Sequence, residues 1–210
     1  MTSPDSRISA AELIRLMTDH RLRVFTTTDM LNLTKMTPSA ATVALQRLAL
    51  KNILVRIKRG VWVNRLITDL NPLEAAPYLS APWPAYISFY SALAEYGKVE
   101  EIPHIIYAVS PAATRQYKTG IGNFQFCRLP ANLMWGYAIK QSGRGGYPIA
   151  EPEKALLDLA YLALSRRSAV RFPYKRDGKW DLDMDKLKSY ARRFDCRPLV
   201  DSLKKNNLWK

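Results

Sequence analysis

A short run of acidic residues with one lysine, beginning at Glu151, carries the side chains that metal-dependent chemistry uses. Glu151-Pro152-Glu153-Lys154 is followed by Asp158, and carboxylates together with a lysine are typical of metal-dependent nucleases. These residues fall in the first turns of one predicted helix, where acidic side chains also stabilise the helix dipole. No partner carboxylate stands out upstream. The spacing therefore favours a structural role, and a DNA-targeted nuclease is the less favoured alternative.

Other residues with catalytic or ligand-binding chemistry are few. The segment Gly143-Arg144-Gly145-Gly146 is rich in glycine, but no Lys-Ser or Lys-Thr pair follows it, so the pattern does not indicate a phosphate-binding loop. The chain has two histidines, and its two cysteines lack CxxC spacing, which leaves little for a zinc site or a catalytic triad. We therefore predict that the protein is not an enzyme and holds neither a cofactor nor a metal.

Positive charge is the strongest feature of the composition. The 210 residues include 32 Lys and Arg against 18 Asp and Glu, a net charge of +14. A folded protein with this excess usually meets a polyanion such as nucleic acid. The first residues are polar and do not form a secretory signal, and no apolar run approaches the roughly 20 residues of a membrane helix. These observations predict a cytoplasmic protein without membrane contact.

The elements that would bind a polyanion are predicted near the N-terminus. Helix-start signals predict three helices there, and the clearest is Thr37-Pro38, a capping hydroxyl followed by Pro at the first helical position. The apolar runs 53–57 and 61–63 flank Lys58-Arg59-Gly60 and predict a β-hairpin with a basic tip. A helix-turn-helix followed directly by such a hairpin is a winged helix-turn-helix, which predicts DNA binding.

In this arrangement the third helix enters the major groove, and the hairpin contacts phosphates or the minor groove. The outer face of the third helix is small, polar and methyl-bearing, with one Gln and one Arg, which suits a close approach to base edges. The predicted DNA-binding residues are Thr37, Ser39, Thr42, Val43, Gln46 and Arg47 for the major groove, Lys35 and Lys51 for phosphates, and Arg56, Lys58 and Arg59 for the hairpin.

The rest of the chain predicts a mixed α/β domain with a helical C-terminus. Strand patterns alternate with a helix from residue 85 onward, and helices then dominate from Pro152 to the end. Four prolines between Thr68 and Pro84 predict a linker. We therefore expect an α+β protein with a DNA-binding domain at 1–70, a Pro-rich linker at 71–84 and a second domain at 85–210.

Three segments carry a resemblance to a known family. They are Arg59 to Val63, which reads RGVWV, Tyr86 to Gly97, which reads YISFYSALAEYG, and Ile149 to Leu159, which reads IAEPEKALLDL. In this order and spacing the chain resembles the AbiEi family, the antitoxins of bacterial abortive-infection and type IV toxin–antitoxin systems, from about Ile8 to the C-terminal helices. Glu151 departs from the pattern, since a small hydroxyl residue is expected there as the helix cap.

The resemblance implies two functions. The N-terminal domain would bind inverted repeats of double-stranded DNA in the operon's own promoter and repress it. The C-terminal domain would neutralise a nucleotidyltransferase toxin without forming a stable complex with it. The resemblance does not identify the neutralising residues, and the candidates are basic side chains of the C-terminal part, namely Lys154, Arg166, Arg167, Arg192 and Arg193. A repressor whose aromatic-rich second domain senses a small ligand is an alternative from another class.

Overall fold

A computed structural model describes residues 8–100, 103–165, 170–171 and 180–208. In chain order the elements are α1 (Ala10–Asp19), β1 (Val24–Thr26), α2 (Thr27–Leu33), α3 (Pro38–Leu50), β2 (Leu54–Lys58), β3 (Val61–Asn64), a 3-10 helix (Pro72–Ala75), α4 (Ala76–Ser80), β4 (Tyr86–Ile87), α5 (Phe89–Glu95), β5 (Ile105–Ser110), β6 (Arg115–Thr119), β7 (Gly122–Arg128), a second 3-10 helix (Ala131–Leu133), β8 (Tyr137–Ser142), β9 (Gly145–Ala150), α6 (Pro152–Ala163), α7 (Met184–Arg193) and α8 (Arg197–Lys205). The predicted mixed α+β class is confirmed.

Local hydrogen bonds at the helix starts explain where the N-terminal helices begin. The Ser9 hydroxyl accepts the Glu12 amide N–H at 3.1 Å and caps α1. Thr26 and Asp29 form a capping box at the start of α2. Thr37 caps α3, whose first residue is Pro38. These caps satisfy amide groups that have no partner within the helix, so each start is encoded by its own few residues.

The first sheet has strand order β1-β3-β2 and is antiparallel, and its central strand β3 is buried on both faces. All four residues of β3 are buried. Trp62 packs with the buried side chains of α1 to α3, such as Leu13 and Leu45. Its neighbours Val61 and Val63 belong to the core of the larger, C-terminal part. The first sheet therefore lies between two hydrophobic cores and joins the N-terminal helices to the rest of the molecule.

The expected linker is instead a folded segment. The Asn71 side chain accepts the Leu73 amide N–H at 3.0 Å and begins the first 3-10 helix, which continues into α4. Leu73, Ala76 and Leu79 are buried in the larger core. Pro72 and Pro77 occupy early helical positions, where the missing N–H carries little cost. Residues 72–80 are therefore helical and partly buried in the larger core, whereas residues 81–84 are exposed.

The second sheet has six strands in the order β6-β7-β5-β4-β9-β8. The pairs β5–β7 and β4–β9 are parallel, and the other pairs are antiparallel. Helix α6 packs against α5, α7 and α8, and its residues from Glu153 to Ala160 are all buried. The predicted helical C-terminal part is present in α7 and α8. None of the described helices has the length and apolar character needed to cross a membrane.

Candidate nucleic-acid interface

Helix α3 presents its predicted DNA-binding residues on one side. Ala41, Leu45 and Leu48 are buried in the N-terminal core, so residues spaced between them point away from it. The side chains on the opposite side and at both ends, which are exposed except for the half-buried Thr42, are Lys35, Thr37, Ser39, Thr42, Val43, Gln46, Arg47 and Lys51. The structure thus brings the predicted α3 residues together on one continuous outer face.

The hydroxyl groups on this face are already used by α3 itself. Thr37 Oγ1 accepts the Ala40 amide N–H at 3.3 Å and lies 3.2 Å from Ser39 Oγ. Thr42 Oγ1 donates to the Pro38 carbonyl oxygen at 2.8 Å. Among the described residues, by contrast, the Gln46 amide and the Arg47 guanidinium have no hydrogen bond or ion pair within the chain. These two side chains are therefore the free polar groups at the centre of the face.

Two of the three hairpin cations face solvent. Strands β2 and β3 are joined by Arg59 and Gly60, and Gly60 has a φ of 75°, which suits glycine in a tight turn. Arg59 is exposed at this turn. Arg56 is exposed as well, and its guanidinium carbon lies 5.9 Å from the ring centroid of Trp62. Both cations can reach a polyanion without leaving the positions they occupy.

Lys58 departs from the prediction. Its ammonium donates to the carbonyl oxygens of Leu79 at 3.0 Å and Ala81 at 3.1 Å, at the end of α4. Those carbonyls are orphaned by the end of the helix, and a lysine nearby satisfies them. The prediction that Lys58 belongs to a free basic tip is therefore wrong, because its charge is committed to the contact between the hairpin and α4.

A long stretch of sequence around this face has no acidic residue, a signal that the net charge alone does not reveal. Residues 30–68 contain no Asp or Glu, whereas they include Lys35, Arg47, Lys51, Arg56, Lys58, Arg59 and Arg65. Because no carboxylate interrupts them, their positive potentials add and extend over the exposed surface of α3 and the hairpin. The cations can attract and bind an anionic backbone. The side chains of Gln46 and Arg47 on α3 can then contact the groups next to that backbone.

Lys154, predicted on a second basic surface, is instead completely buried at 0% exposure. Its ammonium pairs with the Asp158 carboxylate and donates to the Tyr86 hydroxyl at 2.8 Å. Asp158 also accepts hydrogen bonds from the Tyr86 and Ser88 hydroxyls, both at 2.9 Å. We call these four residues the buried polar cluster. The surface prediction for Lys154 is wrong, because α6 turns this side chain towards β4 and not towards water.

Burial shifts the pKa of both charged members of the buried polar cluster towards the neutral form. It raises the pKa of Asp158 and lowers the pKa of Lys154, and their mutual attraction only partly reverses each shift. Burial also raises the pKa of Tyr86, so that its hydroxyl keeps its proton. The cluster is internally satisfied and shielded from solvent. It is suited to fastening α6 to β4, and it offers no open position to a substrate.

Aromatic rings lie beside the ammonium group of the buried polar cluster. The Lys154 ammonium lies 4.9 Å from the ring centroids of both Trp135 and Phe194. Arg193, at the end of α7, lies over the outer side of Trp135 at 4.2 Å from its centroid. Arg192 and Arg193 are exposed, as predicted for a basic surface. Arg166 and Arg167 fall outside the described residues.

The carboxylates that suggested a nuclease are engaged by side chains and backbone at the start of α7, and Lys186 pairs with both Glu151 and Glu153. Glu151 accepts a hydrogen bond from the Tyr190 hydroxyl and pairs with Lys186 at 3.0 Å. Glu153 accepts the Asp183 amide N–H at 3.0 Å. Glu151 thus contacts α7 and makes no side-chain cap on α6. Within the described parts of the chain, no group of three His, Cys, Asp or Glu residues could hold a metal ion.

Comparison with protein-family models finds none that matches the chain, and comparison with curated proteins finds no match either. The assignment of a function therefore rests on the residues and contacts described above.

Proposed function

We propose that the protein binds double-stranded DNA as a winged helix-turn-helix, with α3 in the major groove and the β2–β3 hairpin at the flanking backbone. One observation carries this proposal, namely the exposed outer face of α3, which lies within a stretch of sequence, residues 30–68, that has no Asp or Glu. Lys35 and Lys51 stand at the two ends of α3, where phosphates flank a helix lying in the groove. Arg59 at the hairpin turn supplies a further phosphate contact.

The order of elements supports the same proposal. Helix α1, strand β1, helices α2 and α3 and the β2–β3 hairpin follow one another with short connections. Buried apolar residues hold α3 by one side only, so its outer side is available along the whole helix. In a complex of this kind, the cations supply affinity that depends on salt, and the side chains of α3 supply discrimination between bases.

We further propose that the DNA site is the inverted repeats of the protein's own promoter and that the protein is an antitoxin of the AbiEi type. This second part rests on the three resembling segments. Two of them, Tyr86–Gly97 and Ile149–Leu159, supply all four residues of the buried polar cluster. A neutralising surface then has to be sought among exposed cations such as Arg192 and Arg193, with a nucleotidyltransferase toxin as the functional partner.

The DNA-binding proposal is tested by measuring the dissociation constant of the full chain for its promoter duplex over a range of salt concentrations. Arg59→Ala should weaken binding to every duplex and reduce the salt dependence by about one ion. Lys58→Met is the matched control, because this ammonium is held by two carbonyl oxygens, and the variant should keep the wild-type salt dependence. An unchanged slope for Arg59→Ala would contradict the hairpin assignment.

The antitoxin proposal is tested by co-expressing the full chain with the nucleotidyltransferase encoded beside its gene and measuring growth. The wild-type protein should restore growth. Arg47→Ala should restore growth as well, although it binds the promoter weakly, whereas the double substitution of Arg192 and Arg193 by Ala should not. If the wild-type protein binds its promoter and yet restores no growth, a ligand-responsive repressor becomes the better account of the chain.

A further inference from the structure

We propose that α3 selects adenine–thymine pairs, with Gln46 bound to an adenine edge and Val43 packed on the C5-methyl group of a thymine. This inference deepens the proposed DNA binding and rests on it. It names the base composition of the site, which neither the charge of the molecule nor the arrangement of its elements specifies.

The first step is that the hydroxyl groups on the outer face of α3 contribute little to base selection. The Thr42 hydroxyl donates a hydrogen bond to the Pro38 carbonyl oxygen, 2.8 Å away. The Thr37 hydroxyl caps the helix and lies 3.2 Å from the Ser39 hydroxyl, so these two share one hydrogen bond and one of their hydrogens stays free. A hydroxyl reads either base of a pair with little preference. Base selection therefore depends on the side chains further along the helix.

The second step is the position of Val43. It is 44% exposed, and it lies in the same stripe as Ser39, four residues before it, and Gln46, three residues after it. An apolar side chain at the centre of a polar, exposed face has no partner in the free protein. In the major groove the one apolar group on a base edge is the C5-methyl of thymine. A methyl contact there removes the exposed apolar surface of both groups from water.

The third step is the free amide of Gln46. Among the described residues it has no hydrogen bond within the chain, so its donor and its acceptor are both available together. Adenine presents the N7 acceptor beside the N6 donor, and this pair matches a side-chain amide, whereas guanine presents two acceptors. Gln46 and Val43 are one helical turn apart, which places an adenine contact and a thymine methyl contact on the same or on adjacent base pairs.

The test begins with selection of binding sites by the full-length protein from a pool of random duplexes. In the enriched duplex, single thymines are replaced by deoxyuridine, which removes only the methyl group, and single adenines by 7-deazaadenine, which removes only the N7 acceptor. One deoxyuridine should weaken binding about fourfold, the effect of one buried methyl group. Val43→Ala should abolish this difference, and Val43→Thr, of the same shape, should retain most of it. Gln46→Ala should abolish the effect of 7-deazaadenine at one position.

The possible outcomes distinguish a failure of the adenine and thymine contacts from a failure of the proposed DNA binding. If no sequence is enriched, the protein does not read DNA sequence. Base selection by α3 and its proposed place in the major groove are then both wrong. If a sequence is enriched but binds equally well with deoxyuridine at every thymine, the proposed DNA binding stands and the thymine contact is wrong. If Val43→Ala still discriminates thymine from deoxyuridine as the wild-type protein does, another side chain makes the methyl contact.

Discussion

Replacing Asp158 with Asn removes one charge from a cluster that water does not reach. Asn has nearly the shape of Asp, and its carbonyl oxygen can still accept hydrogen bonds from Tyr86 and Ser88. Lys154, however, loses its carboxylate partner while remaining fully buried. Removing one member of a buried ion pair costs about 3–5 kcal/mol. We therefore expect Asp158→Asn to lower the free energy of unfolding at pH 7 by that amount.

The two single substitutions should respond to pH in opposite directions. In Asp158→Asn the pKa of Lys154, already lowered by burial, falls further. The folded state then binds fewer protons than the unfolded state, so stability rises as pH increases from the folded-state pKa towards the ordinary lysine value. In Lys154→Met the pKa of Asp158, already raised by burial, rises further. Stability then falls as pH increases from the ordinary aspartate value to the folded-state pKa.

Urea unfolding followed by tryptophan fluorescence at several pH values measures both effects. The double variant Lys154→Met/Asp158→Asn buries no charge. Its loss of unfolding free energy should therefore be smaller, by at least about 2 kcal/mol, than the sum of the losses in the two single variants. The reasoning is refuted if Asp158→Asn unfolds within about 1 kcal/mol of the wild-type protein, or if the stabilities of the two single variants change with pH in the same direction.

Three further outcomes concern the contacts that join the parts of the molecule. Gly145→Ala should lower stability by about 2–4 kcal/mol in urea unfolding, because the new Cβ overlaps Glu74 and lies 2.5 Å from Arg23 Nε. Glu74→Gln should cost a similar amount, about 2–4 kcal/mol, by breaking the same ion pair with Arg23, and combining it with Gly145→Ala should add little. Burial raises the pKa of Glu95, but hydrogen bonds from Tyr147 and a lysine outweigh it and leave that pKa below its ordinary value. The wild-type protein should therefore lose stability as pH falls through this folded-state pKa. In the same assay, the unfolding free energy of Glu95→Gln should change less over this acidic pH range.

Helix starts were predictable from the sequence because capping is local. Thr37-Pro38 begins α3, and Asp183 begins α7 by accepting the amide N–H groups of Asp185 and Lys186. The outer face of α3 was predictable for a related reason, since a period of 3.6 residues separates its buried side from its exposed side. In both cases the information lies within one or two turns of helix.

The environment of single charged residues was not predictable in this way. A lysine four residues before an aspartate is typical of an exposed helical ion pair, yet Lys154 and Asp158 are both buried. Their partners Tyr86 and Ser88 stand about 70 residues earlier in the chain, and only the sheet topology brings them close. The apolar residues between Ala155 and Ala160 surround the helix on all sides, and this was the one local sign that α6 is a buried helix.

The helices at residues 72–80 were not predicted, because proline was taken as a sign of open chain. Pro72 stands at the beginning of a 3-10 helix and Pro77 in the first turn of α4, positions that proline favours. Lys58 was misjudged for the same reason, since the carbonyl oxygens it binds belong to the end of a helix that the sequence did not indicate.

The position of the first sheet between two cores also determines when, during translation, each of its sides becomes covered. The side of the sheet that carries Val61 and Val63 is covered only by later residues, among them Leu79 and the turn at Gly120, whose backbone lies against Val55. At about 5–20 residues per second, a ribosome needs several seconds to pass from the end of β3 to that turn. During this interval the nascent N-terminal region keeps one apolar side open to water. The first sheet is therefore covered on both sides only after the larger part of the protein has been synthesised.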